Sequence, residues 1–139
     1  MLSIIIPARD ESENLEQILS YFSEGLKTID YEVILINDFS GDDTFEKASK
    51  LFEGKQNFKI FNNKRKGLGG AINLGIEKCS GTKVSIMMAD LSDDVEDLKR
   101  YNNLIDQKNL DAVLGSRFSK GSRVIDYPFQ KLILNRIFN

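Results

Sequence analysis

The 139-residue chain contains no histidine. That excludes Ser-His-Asp and Cys-His catalytic arrangements and every imidazole metal site. Any metal must rest on oxygen ligands and be a hard cation such as Mg²⁺ or Mn²⁺. Cysteine is limited to Cys79, which excludes an internal disulfide framework and fits a reducing, cytoplasmic compartment. The apolar start "MLSIII" is too short, and lacks the basic region, for a secretory signal. No stretch approaches the ~18 consecutive apolar residues of a membrane span. Proline and glycine do not gather into a linker, and there is no repeat or low-complexity tract.

What is present fits one globular domain over residues 1–139, 41% hydrophobic and 29% charged. The net charge of −2 is unevenly spread. Residues 117–139 carry +4, from Arg117, Lys120, Arg123, Lys131 and Arg136 against Asp126, which leaves −6 on residues 1–116. A basic end on an acidic body suits an anionic partner there. Nucleic acid is not among the expected partners.

Short apolar runs alternate with amphipathic stretches. Strands are expected at "LSIIIP" (2–7), "YEVILIND" (31–38), "FKIFNN" (58–63), "KVSIMMA" (83–89) and "DAVLGS" (111–116). Helices are expected at 12–26 with Ser12 as N-cap, at 44–52, from the glycines at 67 to Cys79, and at 95–107. Continuously apolar strands separated by amphipathic helices imply an α/β fold. Its sheet is Rossmann-like and mostly parallel, with helices on both faces. Such sheets bind ligands at the carboxyl ends of their strands.

The residues following the strands are therefore the candidates. "INDFSGDDT" places Asp38 and Asp42 around Ser40, suited either to nucleoside recognition or to an Asx or ST turn capping the next helix. "NKRKGLGGAINLG" joins a basic run to a glycine-rich helix entry, suited to a phosphate or to a solvated loop. "MADLSDD" supplies Asp90, Asp93 and Asp94. They can cap a helix with Ser92 or Asp93, or hold a divalent cation beside a diphosphate. Arg117 follows the fifth apolar run and is either a surface ion pair or a phosphate ligand. "YPFQKLILNRIF" carries an apolar stripe edged by Lys131 and Arg136. It suits peripheral contact with an anionic membrane surface, or packing on its own domain.

Taken in order, "SIIIPARDESENL", "VILINDFSGDDT", "RKGLGGAINLGIEKCSGT", "SIMMADLSDD" and "DAVLGSRFSKG" resemble a family 2 glycosyltransferase of the GT-A fold. The likeness is to its polyprenyl-phosphate, dolichyl-phosphate mannosyltransferase-like branch. It implies a metal-dependent, inverting transfer from a UDP- or GDP-sugar to a lipid phosphate at the cytoplasmic face of a membrane, in cell-envelope glycan synthesis. By that resemblance Pro7, Ala8, Arg9 and Glu11 hold the nucleoside, Asp38 reads the base, and Lys66 and Gly67 lie near the phosphates. Asp90 matches the second acid of the DxD motif, Asp93 is a further metal candidate, and Arg117 faces the acceptor phosphate with Arg123 and Lys131 beyond it. Met88 stands where the first DxD acid belongs, and Asn37 where an acid commonly precedes Asp38. Catalytic domains of this family run well past 139 residues. The chain is thus expected to be the N-terminal, nucleotide-sugar-binding part, with the acceptor side truncated. Two alternatives stand beside it: a non-catalytic nucleotide-binding pseudoenzyme, and a transferase acting on a sugar hydroxyl. A sugar-phosphate nucleotidyltransferase is disfavoured because "PARDESEN" has no glycine.

Overall fold

A computed structural model describes residues 1–115. The elements run β1 (Leu2–Ala8), α1 (Leu15–Gly25), β2 (Tyr31–Asn37), α2 (Thr44–Phe52), β3 (Phe58–Asn62), α3 (Leu68–Lys78), β4 (Lys83–Ile86) and α4 (Val95–Lys108). The strands form one sheet in the order β3-β2-β1-β4, and every pairing is parallel. Leu2 lies opposite Tyr31 and Lys83, and Asn37 lies opposite Asn62, so the four strands end along one common edge.

The apolar runs of β1 and β2 are fully buried because helices cover both faces. On one face Ile5, Ile34 and Ile36 pack against Ala71 and Leu74 of α3. On the other, Ile4, Ile6, Val33 and Leu35 meet Leu15, Ile18 and Phe22 of α1, Ala48 and Phe52 of α2, and Val95 and Leu98 of α4. Each of the Ile, Val, Leu and Phe side chains contributes about 1.5–3 kcal/mol by leaving water. The alternation of β1 residues between the two clusters is the two-residue period of a strand.

Three local expectations change. Helix α1 begins at Leu15 with Asn14, not Ser12, at its N-cap, and no side chain caps it. The Ser12 backbone N–H instead donates to Asp42 Oδ2 (3.2 Å), which draws this loop toward the one after β2. Strand β4 stops at Ile86 rather than Ala89, because its ladder with β1 ends at the Ile5–Ile86 pair. Asp111–Gly115 form no strand: they pair with nothing among the described residues, and Leu114 is 92% exposed. An apolar β-branched run becomes a strand only where a neighbouring edge receives it.

A polar knot closes the amino edge of the sheet. The Glu32 carboxylate, 2% exposed, accepts from Ser3 Oγ (2.6 Å), Lys59 Nζ (2.7 Å) and the Ser80 N–H (2.6 Å). It thereby ties β1, β2, β3 and the α3–β4 connection. Burial works against its charge, but the hydrogen bonds from Lys59, Ser3 and Ser80 outweigh that and lower its pKa to about 2. A depressed carboxylate stabilises the fold above its unfolded value of 4.5 and loses that contribution as pH falls toward 2. Glu32→Gln is accordingly expected to cost about 1–3 kcal/mol at neutral pH, discounted because Lys59 is partly solvated. It should also flatten the stability profile between pH 4.5 and 2. Urea denaturation across that window checks both, and an unchanged profile would count against the knot.

Candidate functional site

All four strands deliver their following loops to the carboxyl edge. After β1, Pro7 and Ala8 are buried as the strand ends, Arg9 is exposed, and Glu11 is half-buried. Glu11 Oε2 accepts from Asn14 Nδ2 (2.7 Å), and its N–H donates to Thr44 Oγ1 (2.9 Å). Asp10 links the same two loops: its N–H donates to Ser40 Oγ (3.0 Å), and its Oδ1 accepts from the Gly41 N–H (2.6 Å). Asp42 accepts from the Thr44 hydroxyl and from Ser12. The Thr44 hydroxyl chiefly, with Ser12 and backbone N–H groups, lowers the Asp42 pKa to about 2 against a slight burial penalty. Asp42 thus acts as a turn carboxylate that also accepts from the N–H of Thr44, the first residue of α2 (3.0 Å).

Asp38 is only 7% exposed. Both of its oxygens accept from the Gly67 N–H (2.9 and 3.0 Å), and Oδ1 also accepts from Asn63 Nδ2 (2.7 Å). The same Asn63 amide donates to the Arg65 carbonyl (2.7 Å), and Asn63 Oδ1 accepts from the Arg65 N–H (3.2 Å). Asp38 and Asn63 therefore fold the basic loop over and pin the start of α3. Gly67 takes φ +109°, a conformation that L side chains rarely adopt, to make that turn. An open cleft of about 340 Å³ follows, lined by Arg65, Lys66, Gly67, Leu68, Gly69, Gly70 and Asn73. Arg65 and Lys66 are exposed and form no ion pair among the described residues. Free cations beside the unpaired N–H groups of a helix start suit an anion.

After β4, Asp90 is exposed, and its Oδ1 accepts from the Ser92 N–H (3.0 Å). Asp93 Oδ2 accepts from the Met88 N–H (3.0 Å). The cap of α4 is Asp94, not Ser92 or Asp93, accepting from the Glu96 N–H (2.8 Å). No group of three or more acidic, Cys or His side chains converges on a metal-holding geometry among the described residues. Asp90 Oδ2 accepts no hydrogen bond among the described residues. An all-oxygen set of one or two carboxylates fits a hard cation that shares its coordination with phosphate and water.

The sequence-based candidates Pro7, Ala8, Arg9, Glu11, Asp38, Lys66, Gly67, Asp90 and Asp93 thus all lie on or beside one edge. Among them Asp38 and Gly67 touch directly. Arg117, Arg123 and Lys131, with the apolar stripe of 127–138, lie outside the described residues. Asn63 and Asp10 follow apolar runs on this edge but are not among the sequence-based site residues, and their bonds to Asp38 and Gly41 give them their place. The buried Asn37 Oδ1, which has no partner among the described residues, sits on the same edge. No helix among the described residues is long and apolar enough to cross a membrane.

The family model for glycosyl transferase family 2 matches residues 3–139. A dolichol-phosphate mannosyltransferase of Pyrococcus furiosus is 33% identical over 135 residues, 97% of this chain and 38% of the relative. An uncharacterised glycosyltransferase of Synechocystis is 33% identical over 124 residues, 86% of this chain and 38% of the relative. The chain therefore spans well under half the length of the curated relatives it matches. Among solved structures, S. aureus TarS residues 1–349 aligns with a TM-score of 0.63 at 22% identity, covering 86% of this chain and 40% of that one. The same protein in complex with UDP aligns with a TM-score of 0.64 at 21% identity, covering 89% and 43%. At that identity the structural likeness bears on the fold, which is GT-A-like. With the family model spanning nearly its whole length, the chain belongs to glycosyl transferase family 2.

Proposed function

We propose that this chain is the donor-binding part of an inverting glycosyltransferase that moves a sugar from a UDP- or GDP-sugar to a polyprenyl phosphate. The observation that carries the reading is the clamp of Asp38 and Asn63 on Gly67, which sets a cationic cleft beside an exposed Asp90 on one sheet edge. The lipid-phosphate acceptor rests on the likeness to the P. furiosus enzyme and on the basic 117–139 segment.

In this mechanism the loops after β1 and β2 hold the nucleoside, with the remaining lone pair of Asp38 accepting from a base N–H. Lys66, Arg65 and the first turn of α3 receive the diphosphate and stabilise the charge that grows on it as the sugar departs. Asp90, with help from Asp93, would hold Mg²⁺ or Mn²⁺, which would supply further positive charge there. A phosphate acceptor arrives ionised and needs no general base, and Arg117, Arg123 and Lys131 are the groups to orient it. A membrane-apposed, cytoplasmic setting follows from such an acceptor. A second reading, a nucleotide-binding module without turnover, is favoured by Met88 at the first DxD position.

Calorimetric titration with UDP and GDP, each with and without Mn²⁺, tests the donor site. One nucleotide is expected to bind more tightly with Mn²⁺. Asp90→Ala should weaken that metal-dependent part about tenfold or more while sparing metal-free binding. An Asp90→Ala protein that keeps the full Mn²⁺ effect would remove Asp90 from the metal site.

A further inference from the structure

Four non-glycine residues have positive φ among the described residues: Asp10, Phe39, Leu91 and Asn109. Asn109 closes α4 in the left-handed conformation that asparagine tolerates. The other three lie in the loops after β1, β2 and β4, and Gly67 does the same after β3. Backbone strain is thus concentrated on the carboxyl edge. Asp10 is accounted for, since its carboxylate accepts from Gly41 and aspartate visits this region readily. Leu91 is partly buried and packs against the larger core cluster, which leaves Phe39 as the anomaly. It holds φ +57°, costly for a bulky side chain, and yet is 48% exposed and belongs to neither core cluster. Packing does not explain why an aromatic residue is kept there.

Its neighbours hold the strain in place. Asp38 is fastened to Gly67 and Asn63, and Ser40 and Gly41 are fastened to Asp10. Between these tied neighbours Phe39 is a half-exposed aromatic side chain, next in sequence to a nearly buried carboxylate. A strained residue that its surroundings over-determine points to a function. The pairing of a flat face with an edge acceptor is what a heteroaromatic base needs: the ring stacks and the carboxylate takes an N–H.

We infer that Phe39 is a base-stacking residue, a binding platform for the nucleobase of the donor. The inference rests on the nucleotide-sugar reading given above. Stacking accepts any base, so Phe39 supplies affinity while Asp38 discriminates.

The test compares wild type, Phe39→Gly and Phe39→Leu by thermal unfolding and by titration with UDP, GDP and ribose 5-phosphate. Glycine relieves the backbone and removes the ring. The melting temperature is expected to rise by a few degrees while affinity for the bound nucleotide falls about tenfold. Leucine keeps the strain and loses the π face, so affinity should fall with no gain in stability. Ribose 5-phosphate, which has no base, should bind all three proteins alike. A Phe39→Gly protein that binds the nucleotide like wild type overturns the inference and leaves the donor site standing. A Phe39→Gly protein that melts lower makes Phe39 a packing residue and also overturns it. Failure of wild type to bind either nucleotide overturns the donor-site reading, and the inference with it.

Discussion

Gly70→Ala is expected to destabilise the domain by about 2 kcal/mol or more and to abolish measurable nucleotide binding. A Cβ at this position would lie 1.8 Å from the Arg65 carbonyl oxygen and 2.9 Å from its carbon. Those are backbone atoms, so no rotamer change relieves the clash. Either the first turn of α3 or the loop carrying Arg65 and Lys66 must move, and those two segments are the walls of the cationic cleft. The sign of the effect is diagnostic. Glycine to alanine inside a helix ordinarily gains about 1 kcal/mol through helix propensity and chain entropy. Gly69 supplies the control: nothing lies within 4 Å of its added Cβ, so Gly69→Ala should stabilise by about 0.5–1 kcal/mol. Urea denaturation of both variants, followed by nucleotide titration, separates steric closure from propensity. Equal gains in both would show that Arg65 does not press on the helix as described.

Asp38→Ala is expected to cost about 3 kcal/mol and at least a hundredfold in nucleotide affinity. The carboxylate accepts from the Gly67 N–H and from Asn63 Nδ2 in a site that water barely reaches. Its removal leaves the part-buried Gly67 N–H and one hydrogen of the Asn63 amide without their acceptor, each worth about 1–3 kcal/mol when left unpaired, and frees the turn that starts α3. Asn63→Ala should reproduce part of the loss of stability while leaving the base contact of Asp38 intact. Measured by the same two methods, equal stability losses with very different affinities would separate clamping from base recognition. If Asp38→Ala is as stable as wild type, the clamp is not what orders this edge.

The fold was readable because its signals are local. The unbroken apolar runs of β1 and β2 and the helical spacing of Leu15, Ile18 and Phe22 each announce an element without reference to distant residues. What went astray depended on partners. The apolar run from Ser85 continues to Ala89, but the ladder ends at the Ile5–Ile86 pair although β1 runs on to Ala8, because the next β1 residue facing β4 is Pro7, which has no N–H to donate. Ala112–Leu114 have strand-like composition and no edge to join among the described residues.

The site divides in the same way. That Asp38, Lys66, Gly67 and Asp90 share an edge follows from strand order alone, since parallel strands end together. That Asp38 and Gly67 are bonded across 29 positions, through Asn63, has no local signal. Nor does the backbone of Phe39, which reads as an ordinary aromatic until its φ is known.

The most direct measurement is amide chemical-shift mapping of the isotope-labelled chain on addition of UDP or GDP with Mg²⁺. Perturbed amides are expected in four stretches: Arg9–Glu11, Asp38–Asp42, Arg65–Gly70 and Asp90–Ser92. Asp30, Asn57 and Ser80, at the opposite edge, should stay still. Perturbations centred on the amino edge, around Glu32 and Ser80, would contradict the placement of the donor at the carboxyl ends of the strands.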